Sequence, residues 1–325
     1  MKYIVTGGAG FIGSNLVDQL LKDGHEVIII DDLSTGNNLN PGTKFLHADI
    51  ASRDALKGIS GGLAGADAIF HLAALARVQP SITNPLKFNR VNVDGTLNML
   101  MLAKELGIKR FVYSASSSAY GNAEVFPTPE THPTDPLSPY GLQKLIGEQY
   151  CTVFSHCYGL ETVSLRYFNV FGERQSLEGA YCLVMGIFAK QRLEEQPLTI
   201  VGDGEQRRDF TYVGDVARAN ILAAQSDKVG KGEVINIGAG DSRSVNQLAE
   251  LIGGAKTHIE SVLEPRQTLA DNTKAKELLG WEPTVTLEEW TPKYKKDLGL
   301  CCGGGCHQND KSDDYINPLD HEQTK

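Results

Sequence analysis

Through the first ~170 residues, short apolar runs bounded by turn residues alternate with longer segments whose apolar positions recur every three to four residues. The runs predict strands at 3–5, 26–30, 44–46, 68–72, 110–114 and 162–167. The periodic segments predict helices at 13–22, 96–106 and 139–158. Parallel strands need a crossover and a helix supplies one, so the expected architecture is α/β, a doubly wound parallel sheet.

After Asn169 the pattern loosens. A loop is expected at 172–179, a helix at 183–194, a glycine-rich hairpin at 201–205 and a helix from Asp215. A strand at 234–237 should return to the main sheet, and short helices are expected at 245–252 and 272–279. The predicted division is a nucleotide-binding domain at 1–169, with returning segments near 210–240, and a smaller α/β substrate-binding lobe at 170–298, the two interleaved in the C-terminal half. Residues 299–325 carry too few large apolar side chains to offset ordering entropy and are expected to form a disordered tail. Cys301, Cys302, Cys306 and His307 are soft metal ligands in kind, but the adjacent Cys pair lacks C-x₂-C spacing, so no metal site is expected.

Composition narrows the function. The 325 residues, 41% of them hydrophobic, suffice for one large core or two modest ones. A net charge of -9 argues against nonspecific binding to nucleic acid. The chain runs from Met1 straight into a glycine turn, and its apolar runs fall far short of the ~20 residues of a membrane span. A cytoplasmic protein with reduced thiols and no membrane partner is expected.

Thr6-Gly7-Gly8-Ala9-Gly10-Phe11-Ile12-Gly13 follows a strand and opens a helix. Gly7, Gly10 and Gly13 are spaced so that backbone turns tightly and meets a pyrophosphate at the helix N-terminus, the Rossmann-type arrangement. Such a turn alone also marks plain loops, but Asp31 ends the next strand ~20 residues on, where a carboxylate accepts from an adenosine ribose. Asp31 would repel a 2′-phosphate, which points to NAD. Asp49 ends the third strand and either reaches the adenine amino group or terminates a surface turn.

Tyr140 and Lys144 are spaced i,i+4 at the start of a helix, which puts phenol and ammonium on one face. A nearby cation favours the phenolate that a tyrosine needs to act as a base near neutral pH. Ser116, Ser117 and Ser118 end a strand at the sheet edge where such folds bind ligands.

These features occur in order with His71-Leu72-Ala73-Ala74, Leu165-Arg166-Tyr167-Phe168-Asn169 and Arg208-Asp209-Phe210-Thr211-Tyr212. Over residues 1–298 the chain resembles the extended short-chain dehydrogenase/reductases of the NAD-dependent sugar epimerase/dehydratase family, with motifs nearest its UDP-glucose and UDP-N-acetylglucosamine 4-epimerase branch. The resemblance implies NAD contacts at Gly7, Gly10, Phe11, Ile12, Gly13, Asp31, Asp32, Asp49, Ile50, Leu72, Ala73, Ala74, Asn92, Tyr140 and Lys144. It implies Ser116, Tyr140 and Lys144 as the catalytic set, Ser116 assisting the tyrosine. Dehydratases carry an Asp-Glu pair where this chain has Ser117-Ser118, so it lacks the acid that expels a hydroxyl. The implied reaction is inversion at C4 of a UDP-hexose through a transient 4-keto sugar.

By the same resemblance, Asn169 and Arg208 contact the substrate diphosphate, and Ser81, Ser117, Ser118 and Thr268 lie near the sugar. The second phosphate-binding arginine of relatives is replaced by Ser261, with Arg266 offered in its stead. A small residue at 268 leaves room for an N-acetyl group. Arg77 facing a substrate carboxylate would favour a UDP-uronate 4-epimerase. A 4-keto reductase and a noncatalytic dinucleotide-binding regulator are the remaining alternatives. Relatives pair two helices per subunit, here 96–106 and 142–158, which implies a homodimer.

Overall fold

The computed structural model describes residues 1–177, 183–261 and 265–300. The first half runs β1 (Lys2–Thr6), α1 (Phe11–Lys22), β2 (Glu26–Asp31), β3 (Lys44–His47), α2 (Arg53–Ile59), β4 (Ala68–His71), α3 (Val78–Thr83), α4 (Pro85–Asn89), α5 (Gly95–Glu105), β5 (Arg110–Ser116), α6 (Pro139–Tyr158) and β6 (Glu161–Tyr167). It continues through β7 (Val170–Phe171), α7 (Val184–Leu193), β8 (Leu198–Val201), β9 (Arg207–Asp209), β10 (Thr211–Tyr212), α8 (Val213–Gln225) and β11 (Lys231–Ile237). The last elements are β12 (Ser242–Ser244), α9 (Val245–Ile252), β13 (Lys256–Ile259), α10 (Thr273–Leu279) and α11 (Leu287–Asp297).

Seven strands form one parallel sheet in the order β11-β6-β5-β4-β1-β2-β3. Side chains alternate across it. Tyr3, Val5, Val27 and Ile29 pack with Leu16, Leu20, Val216 and Trp281 on the α1/α8 face, while Ile4, Ile28 and Ile30 pack with Leu56, Met99, Leu100 and Phe154 on the α2/α5/α6 face. Burial on both faces explains the unbroken apolar runs in the sequence. The strand order reverses at β1, between β2 and β4, which opens a crevice at the carboxyl ends of the strands.

α6 begins where the sequence says it should. Pro139 occupies its first turn and the Ser138 hydroxyl accepts from the Gly141 N–H, while Gly159 in the left-handed region ends it. Tyr140 is thereby fixed in the first turn, at the crevice. A third cluster, with Phe171, Phe188, Leu198, Ile200, Leu248 and Trp290, holds α7, α9 and α11 together.

Two expectations are corrected. The 201–205 segment turns at Gly202 and Gly204, but it joins no hairpin: β8 pairs with β13 in parallel and β9 with β12 antiparallel. Leu300, assigned to the tail, packs into the third cluster. The rest of the tail, with Cys301, Cys302, Cys306 and His307, lies outside the described residues. Among the described residues no helix is long and apolar enough to cross a membrane.

Candidate functional site

A cavity of about 1950 Å³ lies along the crevice, from the β1–α1 turn to Thr268. That is roughly twice the upper end of the about 300–1,000 Å³ of a single small-molecule site. Two ligands in line fit such a space.

At one end, Gly7 has a φ of 69° and donates its N–H to Ile30 O at 2.9 Å. A Cβ on Gly13 would lie 2.0 Å from Gly7 O, and one on Gly7 would lie 2.7 Å from Ala73 N. The turn, α1 and the 72–74 loop therefore meet with room only for hydrogens. No side chain caps α1, which leaves its first amides for an anion. The Asp31 carboxylate accepts from Ala9 N–H at 3.0 Å and Leu33 N–H at 2.8 Å. Burial raises its pKa against those two bonds. Gly10, Phe11, Ile12, Asp32, Asp49, Ile50, Leu72, Ala73 and Ala74 share this wall. Asp49 accepts from Ala51 N–H and pairs with Arg90. Asn92 does not reach the cavity: it is buried, its amide bonded to both backbone groups of Leu75 and to Gln143. It holds the 72–77 loop in place instead.

Midway, Ser116, Ser117, Ser118, Tyr140 and Lys144 all line the cavity. Ser116 Oγ accepts from Ser118 N–H at 3.2 Å and from Ser118 Oγ at 2.8 Å. Burial raises the Tyr140 pKa; a hydrogen bond with Ser116 and the positive charge of Arg77 act in the opposite sense. Lys144 follows Tyr140 one helical turn along α6. Its Nζ donates to Ser114 O at 2.7 Å, and Arg77 stands at the same cavity wall with a φ of 97°. Burial lowers the Lys144 pKa to about 8. Ser81 is likewise displaced from the wall: its hydroxyl donates to Val78 O at 2.6 Å and accepts from Tyr140 N–H at 3.1 Å, bolting α3 to the start of α6.

At the far end lie Asn169, Arg208 and Thr268. The Asn169 amide donates to Asp209 O at 2.9 Å and to Thr268 Oγ1 at 3.2 Å. Arg207 turns away to Ser242. Arg266 does not line the cavity: it is exposed and held in a two-pronged pair by Asp203 at 2.8 and 2.9 Å. One residue of this wall escaped sequence reasoning. Gln175 is buried in it, and neither its amide nitrogen nor its oxygen has a hydrogen-bond partner among the described residues. Its only sequence signal is its place six residues after Asn169 in a segment read as a plain loop.

The family model described as NAD dependent epimerase/dehydratase family matches residues 3–238. A UDP-glucose 4-epimerase of Mycolicibacterium smegmatis is 37% identical over 310 residues, covering 90% of this chain and 97% of that one. The solved UDP-glucose 4-epimerase of Thermotoga maritima with UDP-glucose is 40% identical, with a TM-score of 0.86 over 92% of this chain and 100% of that one. A UDP-N-acetylglucosamine 4-epimerase of Methanobrevibacter ruminantium, in complex with UDP-N-acetylmuramic acid, is 36% identical, with a TM-score of 0.83 over 91% and 98%.

Proposed function

Because the chain belongs to the NAD dependent epimerase/dehydratase family, we propose that it inverts C4 of a UDP-hexose, acting on UDP-GlcNAc/UDP-GalNAc and UDP-Glc/UDP-Gal. The observation that carries this is the meeting of Ser116, Tyr140 and Lys144 on the wall of the cavity that begins at the glycine turn.

NAD is the cofactor, and the residues present fit it: the Gly7–Gly13 approach leaves a bare-backbone cradle and Asp31 keeps a carboxylate at the wall. When bound it accepts a hydride and returns it. The chain's own groups do the rest. Tyr140, flanked by Ser116 and Arg77, takes the C4-hydroxyl proton and gives it back after the ketone has turned. Ser117 and Ser118 supply hydroxyls where a dehydratase needs an acid, which supports return of the hydride over loss of water. Arg208 suits a diphosphate, its guanidinium offering paired donors.

Gln175 and Thr268 support the acetamido sugar. An amide with donor and acceptor both unpartnered matches the acceptor and donor of an N-acetyl group. A second reading, UDP-uronate 4-epimerase, is favoured by the Arg77 charge at the wall. In this reading residues 1–169, with α8 and β11, hold NAD, and 170–298 hold the UDP-sugar. A homodimer through α5 and α6 fits the half-exposed Leu142, Val153 and Tyr158 on α6. The net charge of -9 suits soluble cytoplasmic ligands over nucleic acid or membrane.

The test is chromatography of the purified enzyme with UDP-Glc, UDP-GlcNAc and UDP-GlcA, and of Tyr140→Phe beside it. A C4 epimer that disappears in the variant is expected, with UDP-GlcNAc among the substrates. No epimer from any of the three, with NAD supplied, overturns the assignment; UDP-GlcA alone selects the second reading.

A further inference from the structure

One helical turn beyond Lys144, Glu148 meets Arg166 of β6. Arg166 Nε donates to Glu148 Oε2 at 2.8 Å and Nη2 to Oε1 at 2.6 Å. Both side chains are nearly sealed from solvent, at 6% and 4% exposure. Neither lines the cavity, and the proton transfer above uses neither. Charges this deep are costly to desolvate, and apolar residues of the same volume often hold a core as well or better. Stability alone is a weak account of the pair.

Its surroundings offer a better one. The guanidinium lies over the Tyr120 ring, 4.5 Å from the centroid. Tyr120 closes the short helical turn Ser117–Tyr120, which carries the serine hydroxyls to the cavity. The Tyr120 hydroxyl donates to Asn236 Oδ1 at 2.7 Å, and the Asn236 amide donates to Thr128 O at 2.9 Å and Asp271 O at 3.1 Å. Thr128 is in turn bonded to Leu269 and Asp271, beside Thr268. On α6 itself, Tyr140, Lys144 and Glu148 follow at i, i+4 and i+8 along one face. A continuous set of directed contacts therefore runs from the helix of Tyr140, beneath the serine turn, to the segment carrying Thr268.

We propose that Glu148, Arg166 and Tyr120 are positioning residues: the buried pair fixes the register of α6 against β6, and the stacked Tyr120 fixes the serine turn to it, so that Tyr140 and Ser116 are held at their working separation. This rests on the reading that those two groups move the proton. Apolar contacts alone tolerate sliding along a helix face, whereas a two-pronged guanidinium–carboxylate pair has one geometry.

The test replaces both partners at once, Glu148→Met with Arg166→Met, so that no charge is left buried alone, with Arg166→Lys beside it, all in the NAD-loaded full chain. The double variant should fold with a melting temperature near the parent's. Backbone hydrogen exchange at 116–121 and 140–144 should quicken by about tenfold or more, and kcat should fall about 10- to 100-fold with KM for the UDP-sugar nearly unchanged, the scale of an ångström-sized misplacement. Arg166→Lys, which keeps the charge and loses the fork, should move both readouts in the same direction. A folded double variant with exchange and kcat near the parent's overturns the relay. If the double variant does not fold, an unchanged exchange pattern in Arg166→Lys overturns it. A parent that turns over no UDP-sugar sinks the chemical reading alone, and the exchange comparison still decides the relay.

Discussion

Lys144 donates from Nζ to the Ser114 carbonyl at 2.7 Å and lies 5.1 Å from the centroid of the Tyr113 ring. Helical spacing from Tyr140 thus delivers the ammonium to the end of β5. The positive charge of Arg77, on the segment entering α3, lowers the Tyr140 pKa against the effect of burial. Lys144 lines the cavity, with its charge disfavoured by burial.

That burial gives a pH signature. The folded-state pKa of Lys144 lies at about 8 against 10.5 in the free side chain. Keeping the ammonium charged therefore costs stability below about 8, and the cost is relieved as pH rises toward 10.5. Relative to Lys144→Met, the parent should gain stability across that window. Urea unfolding of both proteins at its two ends checks this; a constant gap between them removes the pH argument.

Gly13→Ala should be severe. The new methyl would sit 2.0 Å from Gly7 O, a backbone atom that cannot swing aside. Overpacking of this kind costs about 1–3 kcal/mol, and relief requires α1 to back away from the turn. The expected outcome is loss of copurifying NAD together with a lower melting temperature. Parental cofactor content in the variant would show that the turn yields.

The sheet was legible because strands buried on both faces read as apolar runs, as at Ile28, Ile29 and Ile30, and because Ser138 and Pro139 announce α6. The short polar strands β9 and β12 pair with each other and carry no apolar pattern. α11 hides behind its charges and Pro292, its buried face reduced to Leu287, Trp290, Thr291 and Tyr294. At the site, residue type and order were readable, but direction was not. Arg266 is turned outward by Asp203, a residue 63 positions away. Asn92 and Ser81 are drawn inward by Leu75 and by the first turn of α6. Such partners exist only after folding.

Gln175 should set selectivity at C2 of the sugar. Its amide lies buried in the wall with both ends unpartnered among the described residues, so an acetamido group that pairs with it removes a standing desolvation cost of about 1–3 kcal/mol. Gln175→Leu should lower kcat/KM for UDP-GlcNAc about tenfold or more while changing UDP-Glc little. Equal losses on both substrates would assign Gln175 to packing.

Asp209 should report on the substrate end of the cavity. Its buried carboxylate accepts from Ala239 N–H at 2.7 Å, Gly240 N–H at 3.0 Å and Ala270 N–H at 2.9 Å, tying β9 to the stretch that carries Thr268. Burial nevertheless pushes its pKa from 3.8 up to about 6. With the folded value above the free one, the linked stabilisation is complete below 3.8 and is lost as pH rises through about 6. Asp209→Asn does not titrate, and its single amide oxygen serves three donors poorly, at about 1–3 kcal/mol for each left unpaired. The variant should be less stable throughout, by a margin that narrows as pH rises between those values. Because Thr268 and the Asn169 amide hang on this junction, KM for the UDP-sugar should rise more than kcat falls. Denaturant unfolding at both ends of the window, with steady-state kinetics above it, separates the two effects. A margin that widens with pH would mean that the three N–H donors outweigh burial and hold the carboxylate below its free value.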